Sequence, residues 1–184
     1  MIGRTWLYTL LAAAVVGACS DDSDPIGPRP GGIYTAAVTG GVTASLTGSA
    51  LFGADMNDDG DMIFAIALGD STSDHVVILA RKGTTRPVPG TYTLVNALDS
   101  GAVDGWTALH IVGNGDELAE MFLGTSGELV ITESSADRLK GTFGYAGRGI
   151  PGTVPSAEPV TITVQGTFDA APATGASLSV ARLR

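Results

Sequence analysis

The sequence predicts an all-β protein, a single antiparallel β-sandwich or barrel of about nine strands spanning residues 33–184. Three observations carry that expectation. From Ile33 onward apolar and polar residues alternate with period two in short runs. The runs are separated by Gly, Pro, Asn and Asp, the residues that turns demand. Helix-forming stretches are scarce, with only Asp116–Phe122 composed of good helix formers, and that segment is too short to hold a helix by itself.

The alternation places the strands in order. After Ile33 the first long run is Thr43–Phe52. Met62–Leu68 and His75–Ala80 are apolar on both faces, which predicts mid-sheet strands covered on each side. Tyr92 and Leu94 alternate with Thr91, Thr93 and Val95, and Trp106–Val112 and Gly127–Glu133 follow. In Leu139–Tyr145, Leu139, Phe143 and Tyr145 face inward while Lys140 and Thr142 face out. Val160, Ile162 and Val164 likewise oppose Thr161, Thr163 and Gln165, and Ser177–Leu183 is the terminal candidate. Gly-Thr-aromatic recurs at Gly90-Thr91-Tyr92, Gly141-Thr142-Phe143 and Gly166-Thr167-Phe168. The unequal spacing excludes a solenoid, and a packing role is expected in which the ring covers the gap a glycine leaves.

Upstream of this domain the composition changes twice. Arg4 precedes an apolar stretch, Thr5–Val16, followed by the small residues Gly17 and Ala18. A basic start, about 7 to 15 apolar residues and a small-residue cut are the parts of a secretory signal, here residues 1–18. The stretch is shorter than the roughly 20 residues a bilayer span needs. Residues 19–32 contain Asp21, Asp22, Asp24, Pro25, Pro28, Pro30 and Gly31-Gly32, a composition that buries no core and reads as a flexible acidic tether.

The single cysteine of the chain, Cys19, closes Val16-Gly17-Ala18-Cys19. This tetrapeptide resembles the lipobox of bacterial lipoproteins, with Val16 where leucine is commoner. The resemblance implies cleavage before Cys19, diacylglycerol on its sulfur and acylation of the new amino terminus, hence a membrane partner reached through lipid. Two or three acyl chains hold firmly where one binds only marginally. Ser20 after the cysteine resembles the outer-membrane sorting signal of enteric lipoproteins, and Ser20-Asp21-Asp22 the acidic signal of some surface-exposed ones. The implied location is the cell envelope, anchored to the outer membrane. Residues 127–170 carry Gly127-Glu128-Leu129-Val130-Ile131-Thr132, Gly141-Thr142-Phe143 and Val160-Thr161-Ile162-Thr163. This pattern is similar to the carboxyl-terminal half of a broad group of uncharacterised β-rich envelope lipoproteins, which implies the fold class and no activity.

With 10 basic and 19 acidic residues the formal charge is −9. Lys82 and Lys140 are the only lysines, and no basic cluster exists to bind a phosphate backbone, so nucleic acid is excluded as a partner. One cysteine allows no internal disulfide, and packing alone must stabilise the domain.

The best candidate for ligand chemistry after Cys19 is Asp55-Met56-Asn57-Asp58-Asp59-Gly60-Asp61. Oxygen side chains at alternate places before a glycine suit a hard cation, so Asp55, Asn57, Asp59 and Asp61 form a candidate Ca²⁺ loop. An EF-hand would close with an acid at the twelfth place, where Ile66 stands, and the flanks read as strands, so the loop is an acidic hairpin turn first. Gly147-Arg148-Gly149-Ile150-Pro151-Gly152 spells a dinucleotide fingerprint. Pro151, Pro155 and Pro159 forbid the helix that fingerprint requires, and the segment is expected to be a loop between strands. Gly69-Asp70-Ser71 and Asp74-His75 superficially match the blocks of one esterase family, which lie far apart on an α/β scaffold there and side by side in a β-rich chain here. His75 and His110, the latter on the face of Trp106, read as ordinary strand residues, because two histidines without further ligands make no zinc site.

The function these features support is a membrane-anchored binding or structural module. A barrel carrying a small apolar ligand in a cavity lined by Phe64, Trp106, Phe143 or Tyr145 is the first alternative. An envelope hydrolase is the second, for which no convergent polar set is legible.

Overall fold

A computed structural model describes residues 32–56, 60–70, 75–96, 105–114, 117–150 and 160–173, and among these there is no helix. The nine strands are β1 (Ile33–Gly40), β2 (Ala44–Met56), β3 (Met62–Asp70), β4 (His75–Lys82), β5 (Gly90–Leu94), β6 (Thr107–Asn114), β7 (Glu117–Ser134), β8 (Leu139–Gly149) and β9 (Thr161–Pro172). The predicted signal peptide, residues 19–31 of the predicted tether with Cys19, and Ser177–Leu183 lie outside the described residues, whereas Gly32, expected to end the tether, is buried against β2 and β9.

Eight strands close into an up-and-down barrel. Each of β1, β2, β3, β4, β6, β7, β8 and β9 pairs antiparallel with the next, and β9 returns to β1, with Ile33 opposite Asp169 and Gly40 opposite Ile162. Of the two architectures the alternation allows, the chain adopts the barrel. The short β5 is added to the far half of β7, and Val95 N–H donates to Trp106 O at 2.8 Å, which steers it alongside the start of β6. Beyond the start of β1, β9 reaches β2 directly in a short parallel pairing, Leu51 with Ala171 and Phe52 with Pro172.

Closure sorts the side chains. Tyr34, Phe52, Phe64, Ile66, Leu79, Trp106, Phe122, Leu129, Phe143, Tyr145, Val164 and Phe168 are buried in one core inside the barrel. Thr35, Thr47, Thr142, Thr163, Gln165 and Thr167 face out and are exposed. The two-sided apolar character of β3 and β4 also has its counterpart, because Ala65 and Ile78, with Ile111 of β6, form a second buried cluster on the outward face.

The one stretch of good helix formers is strand from Glu117 on: Glu120 faces Val112, Met121 faces Ile111 and Phe122 faces His110 across the β6–β7 ladder. Good helix formers in so short a run cannot meet the cost of helix nucleation, whereas the ladder satisfies their backbone and Phe122 enters the core completely. Gly147 and Gly149 also belong to β8, paired along β9, rather than to a loop, while 151–159 lies outside the described residues.

The recurrent glycines interlock. In the β8–β9 register Gly141 faces Phe168, Thr142 faces Thr167, and Phe143 faces Gly166. Two Gly-Thr-Phe triplets thus run antiparallel, each ring lying over the other's glycine, with the phenyl centroids 6.3 Å apart. A Cβ at Gly141 would stand 2.0 Å from Val130 O, and one at Gly166 2.6 Å from Thr35 O and 2.7 Å from Phe143 Cζ. Backbone oxygens cannot retreat from such contacts. At Gly144 the nearest atom would be Gln165 Cγ at 3.7 Å, an ordinary contact. Gly141→Ala and Gly166→Ala are therefore expected to cost about 3 kcal/mol or more, and Gly144→Ala less than about 1 kcal/mol, read as urea midpoints.

Candidate functional site

The barrel's two ends differ in chemistry. Where β4 ends and β6 begins, Arg81 lies 5.4 Å above the Trp106 ring, which also meets Phe64 edge-on and Tyr92, each with centroids 6.1 Å away. Residues 83–89 form a strap over this end. Gly83 N–H donates to Met62 O at 2.8 Å, Tyr92 O–H to Val88 O at 2.7 Å, and Ser134 Oγ to Pro87 O at 2.6 Å, while the Arg81 guanidinium donates to Thr85 O. Pro87 is buried beneath it.

Toward the opposite end the interior turns polar. Asp70 is the last residue of β3 and His75 the first of β4, adjacent across the ladder next to the Gly69–Val76 pair. His75 Nδ1 lies 2.9 Å from His110 Nε2. His110 is wholly buried against Phe122, with ring centroids 6.0 Å apart. The Asp70 carboxylate accepts Thr47 N–H at 2.7 Å. Tyr34 of β1 and Tyr145 of β8 enter the same region, each 2% exposed. Burial pushes the Tyr34 phenol above its usual range and the Asp70 carboxylate adds to the push. Burial does the same to Tyr145, with Tyr34 as the secondary cause. Both phenols stay protonated.

Three buried polar atoms here have no hydrogen-bond partner: the Tyr34 and Tyr145 hydroxyls and His110 Nδ1. Two more, Arg81 Nε and Trp106 Nε1, lie at the strap end. Each such atom costs stability until something meets it.

The carrier lining named from sequence is inward and buried throughout, but it divides in two. Phe64 packs with Trp106, and Phe143 stacks on Tyr145 with centroids 6.3 Å apart. Of the candidate Ca²⁺ ligands, Asn57 and Asp59 lie outside the described residues. Asp55 Oδ1 accepts the N–H of Met56 at 2.8 Å, and Asp61 pairs with Lys82 at 3.0 Å. No group of three metal-binding side chains occurs among the described residues. Ser71 and Asp74 fall outside them too. The pairing of His75 with His110 and the inward placement of Tyr34 were missed in the sequence. Parity along β4 and β6 does put both histidines on the inner face, and only the β4–β6 register, Val77 opposite His110, brings them together.

No known protein family, curated protein or solved structure matches this chain.

The histidine pair makes the fold sensitive to acid. Burial, and secondly the neighbouring His75, push the His110 imidazole from 6.5 down to about 4. The unfolded chain therefore takes up this proton near 6.5, while the folded chain refuses it until about 4. Stability is full above the first value and falls as pH drops between the two, by about 3 kcal/mol. Urea midpoints at pH 7, 5 and 4 are expected to fall accordingly, and His110→Gln to remove most of that slope.

Proposed function

We propose that this chain is a lipid-anchored protein of the bacterial envelope, tethered to the outer membrane through Cys19, whose barrel stands in water beside the bilayer as a binding module. The observation that carries this reading is the polarity of the barrel wall. Apart from the small buried outward cluster of Ala65, Ile78 and Ile111, aromatic and aliphatic side chains point inward, and threonine, serine and glutamine point outward, as in Thr35 and Thr167, whose hydroxyls meet at 3.2 Å on the outer surface. A barrel that spans lipid has the reverse arrangement, with an apolar band outside and a polar lumen. The membrane contact in this reading belongs to the lipid at Val16-Gly17-Ala18-Cys19 and not to the strands. Residues 19–31 supply the spacer between the two, Gly32 being already packed against β2 and β9, and the chain's surplus of 19 acidic over 10 basic residues keeps the protein off an anionic surface.

Carriage of a small ligand is the second reading, favoured by the orphaned polar atoms inside the barrel. Eight strands make an interior that side chains can fill or that can hold one small molecule.

Mass spectrometry of the protein from its native membrane is expected to find an amino terminus at acylated Cys19. Cys19→Ser is expected to abolish the lipid while leaving the strand signature in circular dichroism unchanged. An uncleaved chain, or an unmodified Cys19 in the membrane fraction, would overturn the reading.

A further inference from the structure

We propose that the polar end of the barrel interior, framed by Tyr34, Tyr145 and the His75–His110 pair, binds a small neutral molecule that presents a carbonyl oxygen from an apolar body. This inference rests on the reading of the chain as a binding module and names the class of ligand.

Register relates the orphaned atoms. Gly48 of β2 faces Tyr34 on one side and Asp70 on the other, Asp70 ends β3 where His75 begins β4, and His75 contacts His110 at 2.9 Å, while Tyr145 is the phenol whose burial Tyr34 reinforces. Native cores leave few buried polar atoms unpaired, and three in one region point to a group that completes them. What these atoms offer defines that group. Two phenols that remain protonated present two O–H donors, and a carbonyl oxygen has two lone pairs to receive them. The neutral His110 has one nitrogen engaged with His75, which leaves Nδ1 for a second polar atom or for water.

Charge excludes the obvious competitors. The Asp70 carboxylate beside Tyr34 opposes an anion, and the described cations lie elsewhere. Arg81 is over Trp106, Lys82 pairs with Asp61, Arg138 and Lys140 both meet Asp169 on the outer surface, and Arg86 and Arg148 are exposed. A cation would have to leave water for a wall of Phe122, Phe143 and Val164, which costs far more than one unpaired phenol. A neutral head on an apolar body satisfies both constraints. Phe122 beside His110 and Phe143 stacked on Tyr145 supply flat apolar surfaces for that body.

Three probes of one size separate the terms: acetophenone, ethylbenzene and benzoate, titrated into the full-length protein in a maltoside detergent with detergent-only blanks. Acetophenone is expected to bind about tenfold more tightly than ethylbenzene, from two neutral hydrogen bonds, and benzoate more weakly still. Its isotope-labelled carbonyl stretch is expected to move to lower wavenumber on binding. Tyr34→Phe and Tyr145→Phe, each of which removes an unpaired hydroxyl and keeps the ring, are each expected to cut that preference to about threefold, and the double variant to bring acetophenone to the ethylbenzene level. Equal binding of acetophenone and ethylbenzene, a carbonyl band unmoved in the wild type, or no binding of any probe would overturn the proposal and assign the orphaned atoms to ordered water. None of those outcomes touches the lipid anchor, which is read separately from the mass of the amino terminus. Should either phenylalanine variant fail to fold, the wild-type carbonyl band decides alone.

Discussion

The fit of two phenyl rings over two glycines between β8 and β9 is the contact on which the rest of the barrel depends. A slip of one residue in that ladder would turn one of the two rings, Phe143 or Phe168, into water and bring the neighbouring threonine of its strand inside. No other alignment of the two triplets places both rings over bare backbone. With β8 and β9 fixed, β8 aligns β7 and β9 aligns β1, which are the two pairings that close the ring. Closure in turn removes the free edges that an open sheet would offer to other chains. The surface ions follow the same register. Arg138, at the turn into β8, reaches Asp169 on β9, with Nε to Oδ1 at 2.6 Å, and this arginine holds the carboxyl below its usual range. Being largely exposed, that pair adds geometry more than energy.

Much of this fold was legible because a barrel is the plainest case of inward and outward alternation. Leu139, Phe143 and Tyr145, or Ile162 and Val164, announce their face two residues at a time. The choice between sandwich and barrel was not legible, because it turns on β9 meeting β1 more than a hundred positions earlier in the chain, and alternation says which face is buried without saying which strand lies alongside. The start of β7 carried no strand signal for a related reason. Local preference favoured helix at 116–122, and the partner that overrode it, β6, enters through long-range pairing alone.

The interior site was less legible than the fold. Phe64, Trp106, Phe143 and Tyr145 could be named as lining because large apolar residues at inward positions have nowhere else to go. Tyr34 carries the same parity and was passed over, since nothing in Ile33-Tyr34-Thr35 separates a structural phenol from one left unpaired. The histidines lie 35 positions apart, and their contact is a property of the β4–β6 register. Of the acidic loop, whose composition suits a cation, the fold shows Asp55 and Asp61, the latter paired with Lys82 at 3.0 Å, and Asn57 and Asp59 lie outside the described residues.

Gly32 gives the barrel a direction. It is wedged so tightly that a Cβ would stand 2.0 Å from Ala50 O and 2.5 Å from Ala171 N, and its own carbonyl accepts Ala50 N–H at 2.9 Å. The polypeptide therefore joins the barrel at the strapped end, opposite the histidines. Any pull delivered through the preceding segment travels along β1, whose ladders to β2 and β9 are loaded lengthwise, so that many hydrogen bonds resist together instead of unzipping one by one.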